Sequence, residues 1–306
     1  MKKESYAEMA DRCFGRYVLG DEKIAVLHKA LLVMLDDIDV ICRQNGLKYM
    51  LSGGSCLGAV RHSGFIPWDD DADIMMYSSD ALKLAELLLQ KYDGKYSVSL
   101  PLENVGAGRM MKIYLSETKY IEIGKENYPC EKKVFVDVFP IIKMPPEAKR
   151  KAVAKKHKVA ARMYSYGLMS KFPSPVIKDA VRVDKSLKNY YNKRKAIGFF
   201  AALPGLDLWL NKLRSYEKDY VGVSDSEGIP SGIDYEREVF PSGFFEKVVE
   251  ADFEGRKYFI PENYREYLTN LYKDYMTLPP PEKRERHYAS EADFGKYAGE
   301  EQKIND

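Results

Sequence analysis

Arg61-His62-Ser63-Gly64-Phe65-Ile66-Pro67-Trp68-Asp69-Asp70-Asp71-Ala72-Asp73-Ile74 is the stretch on which the reading of this chain turns, and Met75-Met76 continue its apolar end. In an extended strand, alternate residues share a face. A strand over about 70–77 sets Asp69, Asp71 and Asp73 on one side and Ala72, Ile74 and Met76 toward a core. Asp70 is then expected to face away, as a cap or in water. Carboxylates stacked along one strand repel each other, and a protein keeps them together where a divalent cation neutralises them. The expectation is a metal-binding strand end that handles phosphate.

Two features elsewhere lead to the same place. Ser52-Gly53-Gly54-Ser55 lies between a short strand, expected over 47–51, and a short helix running through Leu57, Ala59 and Val60 to Gly64. Glycines there let backbone N–H groups approach an anion, and a helix start adds favourable dipole charge. A plain chain reversal is the alternative. Further on, Asp137 stands inside Val134-Phe135-Val136-Asp137-Val138-Phe139. A charge in so apolar a strand is costly unless it is paired or holds a metal. Asp71, Asp73 and Asp137 are therefore the candidate metal ligands and catalytic carboxylates, with Asp69 beside them.

The rest of the chain mixes helices and strands. Asp21 reads as the N-cap of a helix that Gly46 stops, and Ser78-Ser79-Asp80 as the start of another. Residues 109–115 and 119–123 read as a hairpin around Ser116-Glu117-Thr118, and 133–139 as a strand ended by Pro140. Pro145-Pro146 opens a segment expected to be helical and broken at Pro173, Pro175 and Pro204. Residues 246–253 and 256–260 read as a second hairpin. Pro261-Glu262-Asn263 begins a last amphipathic helix.

The net charge of +2 hides an asymmetry: residues 143–218 hold 19 Lys or Arg against 5 Asp or Glu, which leaves 29 against 41 elsewhere. Such a block is a solvated helical face or a surface for an anionic partner. It lacks a nucleic-acid reading motif, so no nucleic acid is expected as partner. Within it, residues 196–210 are strongly apolar, flanked by Lys193-Arg194-Lys195 and by Lys212 and Arg214. That pattern suits a segment lying in an anionic headgroup layer, or a helical subdomain with a buried hairpin. No apolar run reaches the roughly 18 residues of a membrane span. No apolar stretch follows Met1-Lys2-Lys3, so no secretory signal is expected. Cys13, Cys42, Cys56 and Cys130 form no CxxC pair, which suits reduced thiols in a cytoplasm.

Gly54-Ser55-Cys56-Leu57-Gly58-Ala59-Val60-Arg61-His62, followed by Gly64 to Asp73, resembles the signature of the LicD family. That family of bacterial phosphocholine transferases also includes fukutin-type ribitol-phosphate transferases, within the nucleotidyltransferase-fold superfamily. The resemblance continues at Met111-Lys112-Ile113, Val136-Asp137-Val138-Phe139-Pro140, Phe253-Glu254-Gly255-Arg256 and from Tyr267 to Tyr275. It covers about 1–142 and 235–290. Ser55-Cys56 stand where the family usually has Thr-Leu.

The resemblance implies an α+β fold: a nucleotidyltransferase-like mixed β-sheet flanked by helices, with a helical basic insertion. The catalytic core would be 1–142. The insertion, 143–234, would face acceptor or membrane, and 235–306 would pack a hairpin and helix back on the core. It implies transfer of an alcohol phosphate, such as phosphocholine, from a CDP-alcohol to the hydroxyl of a glycan or lipid-linked glycan, with release of CMP. This places the chain in cell-surface glycan assembly, such as teichoic acid or lipopolysaccharide. Mg²⁺, or Mn²⁺ in its place, would be held by Asp71, Asp73 and Asp137, and Asp137 or Asp69 would take the proton of the attacking hydroxyl.

Gly53, Gly54, Ser55, Arg61, His62 and Lys112 are candidate phosphate contacts. His62 is otherwise a solvated helix end. Trp68 stacks on cytosine or a trimethylammonium group, or simply packs. His287 is expected at the surface. The expected location is cytoplasmic, and peripheral on the inner face of the membrane through 143–218. Two alternatives stand beside this reading: a nucleoside monophosphate transferase, and an inactive nucleotide-binding or scaffolding module.

Overall fold

A computed structural model describes residues 6–230, 235–280, 284 and 287–298. After α1 (Tyr6–Phe14), helix α2 (Asp21–Asn45) buries Leu27, Leu31, Met34, Leu35, Ile38 and Ile41, a stripe at helical spacing. Gly46 ends it at φ 65°, its N–H donating to Cys42 O. Asp21 is the first helical residue and Gly20 takes the cap position expected of it.

There follow β1 (Tyr49–Leu51), α3 (Gly53–His62), β2 (Asp73–Tyr77), α4 (Ser78–Lys91), β3 (Tyr96–Ser99), β4 (Met111–Leu115), β5 (Lys119–Glu122) and β6 (Phe135–Lys143). The sheet runs β1-β2-β6-β4-β3, with β2 and β6 parallel and the other pairs antiparallel. Helices α2 and α4 pack against it. The fold is thus a mixed sheet flanked by helices, as expected.

Three local expectations fail for physical reasons. β2 begins only at Asp73, so strand alternation says nothing about Asp69, Asp70 and Asp71, which lie in the loop before it. β4 and β5 do not pair as a hairpin. β4 sits between β3 and β6, while β5 pairs with β11 (Ala289–Asp293), a segment far away in sequence. β6 also runs through Pro140. Asp137 N–H points to β2, donating to Ala72 O at 3.1 Å, so position 140 turns its nitrogen to the opposite side. There β4 pairing has already ended at Met111↔Val138, and no ladder bond is lost.

The basic segment folds as α5 (Glu147–Lys171), α6 (Pro175–Val183), α7 (Lys185–Ala202) and α8 (Leu206–Tyr216). Ala160, Tyr164, Leu168, Leu206, Leu210 and Leu213 form a small second core that also takes in Leu102. β7 (Ser226–Gly228) and β8 (Val239–Pro241) then extend β6. The hairpin β9 (Val248–Phe253) and β10 (Arg256–Pro261) turns at Glu254 and Gly255, both at positive φ. Its tip clamps the motif loop: Glu254 Oε1 accepts Phe65 N–H at 3.0 Å, and Glu254 N–H donates to Ser63 O at 2.8 Å. Helix α9 (Tyr264–Tyr272) buries Tyr267, Leu268 and Leu271. Tyr275 falls beyond its end. Among the described residues, no helix is long and apolar enough to cross a membrane.

Candidate active site

Strand register assembles the site. Asp73 pairs with Asp137 across the parallel β2–β6 ladder, and Asp137 pairs with Lys112 across the antiparallel β6–β4 ladder. Residues opposite one another in a ladder share a face, so Asp73, Asp137 and Lys112 stand abreast on three neighbouring strands. α3 is tied to the same point. Ser52 N–H donates to Asp73 O, and Asp73 N–H to Ser55 Oγ, each at 2.9 Å. Ser55 is buried and its hydroxyl is engaged in fixing the Asp73 backbone.

The glycines are there for space. A Cβ on Gly54 would come 2.7 Å from Asp69 Oδ2, and one on Gly53, at φ +48°, would stand 3.5 Å from Asp73 Oδ2. The carboxylates close over the start of α3 because nothing projects from it.

Asp70, Asp71, Asp73, Asp137, Lys112 and His287 are among the residues lining a cavity of about 280 Å³. Asp69 lies behind them, against Gly54. Asp70 does not face away. It accepts a hydrogen bond from the Tyr120 hydroxyl, and His287 Nδ1 lies 2.5 Å from its other oxygen. His287 is therefore a site residue with one face open, in place of the plain surface histidine expected. Asp69, Asp70 and His287 form the one described group whose ligand atoms all lie within 4.8 Å of one another.

A second cavity of about 320 Å³, with Tyr114, Tyr128, Phe135 and Tyr164 in its wall, adjoins the first through Lys112 and Tyr120. Helix α5 of the basic segment roofs it. Arg61, His62 and Trp68 line neither cavity. Arg61 donates to His62 Nε2 and to Tyr275 O, and Trp68 meets His62 edge-on beneath the Arg284 guanidinium, 4.0 Å from its ring centroid.

The charges do not balance within the cluster. His287 stands against Asp70 and is held up to about 10 by it, and Lys112 Nζ lies 2.6 Å from Asp137 Oδ1. Among the described residues, no Lys, Arg or His nitrogen comes within 4 Å of the carboxylate oxygens of Asp69 or Asp73, and the Asp71 carboxylate has only His287, at 3.9 Å. These three carboxyls are driven upward by burial and then by neighbouring carboxylates, Asp71 first for Asp69 and Asp73, and Asp70 and Asp137 for Asp71: Asp69 and Asp73 well above the usual range, Asp71 to about 6. Asp137 Oδ1, though beside the lysine, has no hydrogen bond of good geometry and is buried. Asp71, Asp73 and Asp137 line one cavity with this orphaned buried oxygen, a chemistry that suits a hard divalent cation, although among the described residues their oxygens are not all within 4.8 Å of one another.

Sequence reasoning missed the network behind the glycine turn. The Tyr267 hydroxyl receives Gly53 N–H at 3.1 Å, contacts Ser52 Oγ at 3.0 Å and donates to Glu238 Oε2 at 3.2 Å. No local pattern marks Glu238, which reaches this place only through the β7–β8 pairing. Burial lifts its carboxyl from 4.5 to about 7. A folded-state value above the unfolded one means that stability is lost as pH rises through that window. Glu238→Gln, which keeps an acceptor for Tyr267, is expected to leave stability near pH 4 nearly unchanged and to raise it near pH 8 by up to about 3 kcal/mol. Urea unfolding at the two pH values checks this, and an equal change at both would refute it. His28 was missed as well: its Nε2 lies 2.7 Å from Asp69 O and its ring stacks on Phe65, fixing the motif loop.

Residues 46–173, from just before β1 into the insertion through α5, match the model of the LicD/FKTN/FKRP nucleotidyltransferase domain. The chain is 28% identical over 268 residues to the lipopolysaccharide cholinephosphotransferase LicD of Haemophilus influenzae, covering 85% of this chain and 94% of that one. It is 54% identical over 78 residues to the human ribitol 5-phosphate transferase FKRP, covering 22% of this chain and 16% of that one. With the motif loop, the paired Asp strands and these relatives in agreement, residues 46–173 of this chain form a nucleotidyltransferase domain of the LicD/FKTN/FKRP kind.

Proposed function

We propose that this protein is a phosphotransferase that moves an alcohol phosphate from a CDP-alcohol to a glycan hydroxyl and releases CMP. Its relatives carry cholinephosphate and ribitol 5-phosphate, and an alcohol esterified to phosphate is common to both. The observation that carries the reading is the excess of carboxylate charge at Asp69, Asp71 and Asp73 beside the Asp73–Asp137 ladder pair. Asp71, Asp73 and Asp137 would hold Mg²⁺ or Mn²⁺. When bound, the cation offsets charge on the pyrophosphate and on the departing CMP.

The protein's own groups supply the rest. Lys112 adds a fixed positive charge for the donor phosphates. Asp137 would take the proton of the attacking hydroxyl, a role supported over Asp69 by its position in the cavity lining. The aromatic wall of the adjoining cavity offers a seat for the cytosine ring. Trp68 is poorly placed for that role, with Arg284 over its ring.

The test is incubation with CDP-choline, CDP-ribitol and CDP-glycerol plus Mg²⁺, with a glycan acceptor. CMP release is expected. Release of the free alcohol phosphate, with CMP carried to the acceptor, would mean nucleotidyl transfer, and no product together with no thermal stabilisation by any donor would defeat the proposal.

A companion prediction concerns the cation alone. The raised Asp71 value means that the metal-free protein loses stability as pH rises from about 4 to about 6. A divalent cation takes over from the proton. Mg²⁺ is therefore expected to raise the melting temperature strongly near pH 8 and little near pH 5.

A further inference from the structure

We propose that the corner between α7 and α8 docks this protein onto an anionic membrane surface. The corner has a built shape. Helices α5 and α7 cross with their backbones in contact: a Cβ on Gly198 would come 1.9 Å from Tyr166 O. That crossing turns Leu187, Tyr191, Gly198 and Ala201 inward. The opposite side of α7 therefore faces out. The turn into α8 passes through Gly205 at φ +89° and is pinned by Trp209, whose Nε1–H donates to Ala201 O at 2.8 Å.

On this corner Phe199, Phe200 and Leu203 are 58%, 69% and 66% exposed, and no described residue covers them. The two rings meet edge-on, 5.6 Å apart. An exposed Lys193 lies about two turns before them, and Lys212 sits over Trp209, 4.5 Å from its ring centroid. Residues 143–218, which contain the corner, carry 19 cationic residues against 5 acidic ones. Bare aromatic rings on a rigid tip inside a strongly positive field suit a bilayer surface. The rings enter the headgroup layer while the ammonium groups reach lipid phosphates.

The full-length protein is sedimented with vesicles of phosphatidylcholine alone and of phosphatidylcholine with phosphatidylglycerol, at low and high salt. The wild type is expected to pellet with the anionic vesicles at low salt. The Phe199→Ser, Phe200→Ser double variant removes no buried contact and is expected to keep the wild-type melting temperature. Its bound fraction should fall at least ~10-fold, and Lys193→Glu should weaken binding as well. No preference for anionic vesicles overturns the proposal. So does binding that the double variant leaves intact, which would be charge attraction alone. A wild-type dimer that the double variant converts to monomer also overturns it, since a second copy would then cover the corner.

Discussion

Asp73→Ala is expected to lower transfer by ~10³-fold or more, since loss of a cation ligand forfeits several kcal/mol of transition-state stabilisation. The fold should survive, and the melting temperature without metal should equal or exceed that of the wild type. Asp73 is held in place through its backbone, by Ser52 and Ser55, and not through its carboxylate. Its side chain contributes mainly repulsion, from Asp71 first and then from Asp137 and Asp69. Removing it relieves the neighbours and abolishes stabilisation by Mg²⁺. Turnover and melting curves with and without Mg²⁺ measure both effects. An Asp73→Ala enzyme with wild-type turnover would remove Asp73 from the machinery, and one that fails to fold would show that the carboxylate is structural.

Gly58→Ala is expected to destabilise the protein by about 3 kcal/mol, the upper end of the overpacking range, because the obstruction is backbone. A Cβ at this position would lie 2.4 Å from Gly64 O and 3.4 Å from Ile66 N. Helix α3 and the returning loop touch there, with Gly64 N–H donating to Gly58 O. That loop is pinned from the other side by Glu254, so it has little room to retreat. The strain passes down the chain to Asp69, and transfer should fall along with stability. Chemical unfolding gives the first effect and a CMP-release assay the second. A Gly58→Ala protein as stable as the wild type would show that α3 and the loop separate freely.

The extent to which the site was legible differs from residue to residue. Asp73 and Asp137 could be found because both lie in true strands with apolar neighbours, where a charge stands out and alternation fixes its face. Lys112 could be found for the same reason on β4. Strand alternation puts Asp70 on the wrong side because that residue lies in a loop before Asp73, where the period of two has no physical basis. His287, Tyr267, Glu238 and His28 carry no local signal. Each reaches the site through contacts between segments far apart in the chain, and a lone His or Tyr reads like any other. Arg61, His62 and Trp68 mislead in the opposite sense. They belong to the densest part of the motif, yet the helix that begins at Gly53 carries Arg61 and His62 to its far end, away from the carboxylates.

The sequence by itself determined that a glycine turn, an acidic loop and an apolar strand follow in that order, and that a later strand carries a buried acid. Those are properties of period, propensity and the cost of desolvating charge, which act over a few residues. Tertiary structure alone decided that β2 and β6 run side by side in parallel. It also brought β11 back to β5, which carries His287 to Asp70, and set the hairpin tip on the motif loop. It left Phe199, Phe200 and Leu203 bare where a buried hairpin was equally consistent with the pattern. Strand pairing and helix crossing depend on which distant surfaces fit together, and hydrophobic pattern alone does not specify that.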